Sequence, residues 1–154
     1  MEVPANDFRE VFVAYNLRFH PVIQHLKELL AAEEILSVQA YVGQYLPDWR
    51  PNTDYRSSYS ANSDQGGGVL RDLSHELDYL KWIFGDFESL CAIGGHYSSL
   101  EINSDDIFSI MFVTKTCPVI NVQLNYLDRK TRRFIIINTK NHTFMGDLIN
   151  GTVM

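Results

Sequence analysis

The sequence has few of the features that mark several large classes of protein. Its 154 residues include only two cysteines, Cys91 and Cys117, too few for a disulfide scaffold and typical of a reducing compartment. Their residue type predicts that both are buried core thiols. Thirteen Lys and Arg are outnumbered by nineteen Asp and Glu, for a formal charge of −6, and the basic residues form no stripe that would displace counterions from a phosphate backbone. We therefore expect no nucleic-acid partner.

Long apolar runs are also missing. The first residues show no basic end followed by an apolar stretch, as a secretory signal would. The longest apolar window, residues 107–113, is far shorter than the roughly 20 residues that span a bilayer. Apolar residues make up 45% and charged residues 21%, a composition that suits a folded domain with one core. The sequence thus predicts a cytoplasmic protein with no membrane partner.

The spacing of apolar residues predicts an α+β fold. Helical spacing is found in residues 21–32 and 69–84. Residues 35–45 alternate with period two, and residues 10–15 are apolar on both faces, as in a strand buried on two sides. The other predicted strands are residues 89–94, 105–114, 118–127 and 133–139. Because short turns join the last three, we expect an antiparallel meander. The prediction is an open, mostly antiparallel sheet, with both helices on one face and the other face available for association.

Residues that suit proton transfer lie after a run of three glycines, residues 66–68. Asp72 and His75 are three positions apart, so a continuous helix would place both on one face, where a carboxylate supports an imidazole as general acid or base. Ordinary surface positions are an alternative interpretation, as is a flexible hinge for the glycines. Asp72, His75 and Asp78 also suggest a metal cluster, but the second histidine of the zinc-protease helix is missing.

The order of these features resembles the C-terminal domain of the glucose-fructose oxidoreductase and inositol dehydrogenase (Gfo/Idh/MocA) family. The resemblance rests on residues 15–21, 49–51, 54–56, 66–68 and 82–85, with Asp72, His75 and Asp78 between the last two segments. Each piece is short, but together they cover nearly the whole chain in the family's order.

The resemblance implies a domain whose open sheet covers a sugar-like substrate and forms a homo-oligomer. It implies that His75, with Asp72 as its partner, orients and deprotonates a sugar or polyol hydroxyl during hydride transfer to NAD or NADP. The family spacing has three residues between these two groups, whereas this chain has two. The implied substrate-binding residues are Trp49, Tyr55, Arg56 and Arg18.

The family's nucleotide-binding domain has no counterpart in this sequence. Residues 1–16 are expected to be the remnant of that domain's last strand and its linker, and residues 17–154 a C-terminal domain shortened at its end. We expect no bound cofactor and no hydride transfer from this chain alone. The alternative is a catalytically inactive association module, which dimerises through its sheet or complements a nucleotide-binding domain in trans.

Overall fold

The structure, a computed structural model, describes Glu10 and residues 12–154. Its helices are α1 (Pro21–Leu29), α2 (Val69–Asp72) and α3 (His75–Phe84). Its strands are β1 (Ile35–Gly43), β2 (Phe87–Gly95), β3 (Ile107–Thr114), β4 (Ile120–Asn125), β5 (Arg132–Thr139), β6 (Thr143–Asp147) and β7 (Thr152–Val153). In this described part of the chain, none of the helices has the length and apolar character needed to cross a bilayer.

The strands form one open sheet in the order β2-β3-β4-β1-β5-β6-β7. All neighbouring pairs are antiparallel except β1 and β4, which are parallel. The predicted α+β class and mostly antiparallel sheet are confirmed. The predicted meander is correct for β3 and β4, which are antiparallel neighbours, and wrong for β4 and β5, because β1 lies between them. Alternation of apolar residues specifies the faces of a strand and carries no information about its neighbours.

The core lies between one face of the sheet and the helices. The register places Ala40 of β1 beside Val122 of β4 and Ile135 of β5, and all three are fully buried. Facing them from the helices are Val22, Ile23 and Leu26 of α1 and Tyr79, Leu80 and Phe84 of α3. These contacts confirm that the helices pack on a single face.

The opposite face of the sheet, which we call the outer face, is open. Ile93, Met111 and Val119 are exposed there, with 76%, 49% and 44% of their surface accessible. Cys91 pairs with Met111 across β2 and β3 and is exposed, whereas Cys117 is buried. The prediction that both thiols are buried is therefore wrong for Cys91, since it lies on the uncovered face of an edge strand.

Two predicted elements differ from those observed. Phe12 to Tyr15 form no strand, and Val11 of the same predicted strand lies outside the described residues. The helix predicted over residues 69–84 is interrupted between α2 and α3. Ser74 donates a hydrogen bond from Oγ to the carbonyl oxygen of Arg71 at 2.8 Å, a side-chain bond of the kind that competes with the helical ladder.

Candidate functional site

Gly68, the last glycine of the run, packs closely against Asp105. Gly68 has a φ of +124°, and a Cβ there would collide with the carboxyl group of Asp105. Asp105 accepts hydrogen bonds from the backbone N–H of Val69 at its carbonyl oxygen, at 3.0 Å, and of Leu70 at Oδ2, at 2.9 Å. Asp105 therefore caps the start of α2, and these donors are already occupied.

Beside α2 and α3 lies a cleft of about 230 Å³, which we call the His75 cleft. It is lined by Val42, Gln44, Trp49, Asp72, Leu73, His75, Thr131, Arg133 and Ile149. The fold thus brings together three of the sequence-predicted site residues, Trp49, Asp72 and His75. They converge although the helix that was predicted to carry two of them is interrupted.

His75 is half-buried at the start of α3. The ring of Tyr15 packs edge-on against its imidazole, with ring centroids 5.5 Å apart. Its Nδ1 atom is buried and has no hydrogen-bond partner among the described residues. Burial lowers the pKa of His75 below its ordinary value; Arg133 adds to this effect, and Asp78 opposes it. The imidazole is therefore neutral near pH 7 and can accept a proton.

Asp72 is held by a tyrosine. The hydroxyl of Tyr126, a fully buried residue, donates to Oδ2 of Asp72 at 2.7 Å. Burial and then the bond to Asp72 raise the pKa of Tyr126, so this hydroxyl remains a donor. Trp49 packs edge-on against the Tyr126 ring at a centroid distance of 5.2 Å. Among the described residues, no hydrogen bond joins Asp72 to His75, so the tyrosine is what fixes the carboxylate.

An ion pair that sequence reasoning missed completes the cleft. Arg133 donates from Nε to Oε1 of Glu76 at 2.9 Å and from Nη2 to Oε2 at 3.2 Å. The Glu76 side chain is fully buried, and that of Arg133 is 21% exposed. Burial raises the pKa of Glu76, and Arg133 opposes that rise. The sequence contained an indication of this pair. Side chains alternate between the two faces of a strand, so Arg133 lies on the same face of β5 as buried Ile135 and Ile137.

The other predicted substrate-binding residues lie outside the cleft. Arg18 donates from Nε to Oδ2 of Asp78 at 2.6 Å and lies along a separate groove formed by residues 13–19. The Tyr55 hydroxyl accepts the backbone N–H of Glu101 at 3.2 Å, which secures the long loop. Arg56 is exposed and forms ion pairs with Asp54 and Glu101.

The metal-cluster interpretation has no geometric support in the described residues. Within Glu10 and residues 12–154, no group of three or more His, Cys, Asp or Glu side chains is arranged to hold a metal ion. Asp78 pairs with Arg18, and Asp72 accepts its bond from Tyr126.

Comparison with protein-family models identifies the family of this chain. Residues 23–142 match the family model described as the GFO/IDH/MocA C-terminal domain. Over 84 residues the chain is 33% identical to the uncharacterized oxidoreductase sll0816 of Synechocystis sp., a match that covers 54% of this chain and 23% of that protein.

Solved structures share the fold at low sequence identity. UDP-N-acetylglucosamine 3-dehydrogenase GnnA from Acidithiobacillus ferrooxidans is 18% identical, with a TM-score of 0.70 over 93% of this chain and 42% of that one. A levoglucosan dehydrogenase in complex with NADH and L-sorbose is 20% identical, with a TM-score of 0.72 over 91% and 40%. The chain thus spans less than half the length of these proteins.

Proposed function

Since the chain belongs to the Gfo/Idh/MocA family as its C-terminal domain, we propose that it is the substrate-binding and oligomerisation domain of an NAD(P)-dependent oxidoreductase. The substrate is a sugar or polyol, at a hydroxyl or carbonyl group. The observation that carries the proposal is the His75 cleft, where a half-buried imidazole and a tyrosine-bound carboxylate line the same cavity. Solved proteins of the same fold that contain NADH or NAD support the choice of cofactor.

In this proposal His75 is the acid or base of the reaction. Its lowered pKa leaves the imidazole neutral, so it takes the proton of a substrate hydroxyl in oxidation and returns a proton in reduction. Hydride transfer would be supplied by NAD(P) bound to a nucleotide-binding domain. The Asp72 carboxylate accepts a hydrogen bond from another substrate hydroxyl. Tyr126 holds this carboxylate in position for that role.

We propose that the nucleotide-binding domain contacts residues 12–19. Phe12, Val13 and Phe19 are strongly exposed in this segment. Several exposed apolar side chains in one short segment are typical of an interface with another domain. Tyr15 of the same segment packs against His75, so a domain docked here would lie next to the imidazole. We place the protein in the cytoplasm, in keeping with two cysteines that form no disulfide.

The test is NAD(P)-linked oxidation of polyols by the protein assembled with a family nucleotide-binding domain. Replacement of His75 by Asn should lower kcat by about 10²–10⁴, the usual contribution of a positioned acid or base. NADH binding, followed by fluorescence, should be unchanged. His25→Asn, at an exposed position of α1, is the matched control. Full activity in the His75 variant would refute the assignment.

A second candidate function is the association module without catalysis, and the open outer face favours it. The exposed Ile93, Met111 and Val119 lie on three neighbouring segments of one face. Self-association through this face predicts a dimer in sedimentation that Met111→Lys dissociates. Leu29→Lys, at an exposed apolar position of α1, should leave the dimer intact. Dimerisation without any polyol-dependent activity would favour the module.

A further inference from the structure

The guanidinium of Arg133 is fixed in place and only half used. Its Nε and Nη2 atoms donate to the two oxygens of Glu76. A guanidinium carries five N–H donors in a planar fork, so the edge formed by Nη1 and the second hydrogen of Nη2 remains. None of the three remaining N–H groups, two on Nη1 and one on Nη2, has a partner among the described residues, and Arg133 lines the His75 cleft.

Glu76 is what fixes this edge. Its carboxylate is fully buried on α3, directly after His75, and both of its oxygens accept N–H groups of Arg133. The same turn of α3 therefore sets both the imidazole and the anchor of the guanidinium. A bidentate partner on one edge also prevents the fork from rotating, so the other edge is preorganised.

The charges around the cleft decide which ligand suits this edge. Glu76 balances Arg133, and Arg18 balances Asp78 in a second pair. Asp72 adds a further negative charge on the cleft wall, while His75 is neutral near pH 7. The net charge of these groups is negative, so an anionic ligand would be repelled. Two parallel N–H donors in a negatively charged site are therefore suited to two adjacent oxygens of a neutral ligand.

We propose that Arg133 binds two neighbouring hydroxyls of a neutral polyol through this edge, and that buried Glu76 is the positioning residue that holds it. The proposal rests on the proposed function, since it names the part of the substrate that the cleft recognises. It assigns a substrate-binding residue on β5, outside the loop and helices to which the sequence pointed. It also narrows the substrate to uncharged sugars or polyols with adjacent hydroxyls.

The test is NMR titration of the 154-residue chain with ¹⁵N-labelled arginine. The probes are myo-inositol, which has adjacent hydroxyls, cis,cis-1,3,5-cyclohexanetriol, which has none, and inorganic phosphate. Myo-inositol should shift the Arg133 Nε–H resonance saturably, and the triol should bind at least about tenfold more weakly, as expected for loss of a charged hydrogen bond. Phosphate should not bind in the cleft.

Variants separate the roles of the residues. Arg133→Lys keeps a cation beside Glu76 but loses the planar fork, and should weaken myo-inositol binding about tenfold. Arg132→Lys is the matched control, because the neighbouring side chain points to the outer face and is 59% exposed. Glu76→Gln should broaden the Arg133 Nε–H signal and also weaken binding. Backbone amide spectra report whether each variant remains folded.

The outcomes distinguish the inference from the function on which it rests. If myo-inositol binds in the cleft equally well in Arg133→Lys and Arg132→Lys, the inference is wrong and the proposed function stands. If the triol binds as well as myo-inositol, or phosphate binds more tightly, the assignment to adjacent neutral hydroxyls is wrong. If neither polyol shifts any cleft resonance, the proposed substrate class fails together with the inference.

Discussion

Two arginines of this domain pair with carboxylates in contrasting surroundings. Arg133 forms a bidentate pair with Glu76 at the wall of the cleft, and the carboxylate is fully buried. Arg56 contacts Asp54 and Glu101 at 2.8 and 2.7 Å, but all three side chains are about half exposed or more. The exposed cluster has the shorter contacts. Even so, its charges are solvated and screened, whereas the buried pair has lost its water and depends on its partner.

The comparison shows why the sequence pointed to Arg56 and not to Arg133, the arginine that lines the His75 cleft. Arg56 stands in a loop motif that resembles a family signature, so it attracts attention. Arg133 stands in a strand of Ile and Phe, where a charged side chain on the inner face needs a buried partner. Burial is what distinguishes Arg133 from Arg56, and it becomes known only when the chain is folded.

The variant Arg133→Met tests the contrast between the buried and the exposed arginine, and we expect it to have the largest effect on stability. It leaves the Glu76 carboxylate buried without a counter-charge, and we expect a loss of about 3–5 kcal/mol in the free energy of unfolding, measured with urea. Arg132→Met is the control. Adding Glu76→Leu to Arg133→Met should recover most of the loss, because the buried charge is then gone. If the double variant is no more stable than the single one, burial of an unpaired charge is not the cause.

A smaller loss is expected from Tyr126→Phe. The change removes the hydroxyl that donates to Asp72, and a bond to a charged group contributes about 1.5–3 kcal/mol. Tyr97→Phe serves as control, since its hydroxyl bonds to a backbone carbonyl at an exposed position. The free energy of unfolding of both variants is measured with urea. Equal losses in the two variants would mean that the bond to Asp72 stabilises the protein no more than the exposed bond of Tyr97.

A pH dependence follows from His75. Because burial lowers its pKa in the folded state, the unfolded chain binds the proton more strongly. The free energy of unfolding is therefore unaffected by His75 above its ordinary pKa of about 6.5. It decreases as the pH falls through that value toward the lower pKa of the folded state. Unfolding measured from pH 7.5 to 5.5 should show less loss of stability in His75→Gln than in the parent protein. Parallel curves would contradict the burial effect.

The smallest effect is expected from Arg56→Ala. The charges of this cluster are already solvated, so the urea midpoint should not change measurably. Polyol binding in the cleft should also be unchanged, because Arg56 does not line it. A weakened affinity for myo-inositol would return Arg56 to the set of substrate-binding residues.

Local periodicity was sufficient to predict most elements of the fold. Helix α1 and strands β1 to β5 were located from apolar spacing, and so was the covered face of the sheet. The interruption between α2 and α3 was not, because it involves the side-chain bond of Ser74 to the Arg71 carbonyl, which no spacing rule contains. Strand β6 was missed since Gly146 weakens its pattern. That glycine is required because a Cβ there would meet Val22 and Leu26 of α1 at 2.8 Å.

The candidate site was predictable to the extent that its residues are polar and lie near helix ends. Asp72 and His75 were named from their spacing, Trp49 was implied by the family resemblance, and the fold brings all three to one cleft. Tyr126, which fixes Asp72, follows β4, and Arg133, which pairs with Glu76 at the cleft wall, lies on β5, so both come from far along the chain. Such partners are set by tertiary pairing, which residue spacing does not encode.

The central position of β1 governs how this chain reaches its native state. Both neighbours of β1, β4 and β5, are made long after it during synthesis, and no hairpin with an adjacent segment completes its hydrogen bonds. Contacts between such distant segments slow folding. A fragment that ends before β5 would keep β1 with an open edge, a template for pairing with other chains. Attempts to trim the domain for expression should therefore retain the chain through Thr139, whichever residues bind the substrate.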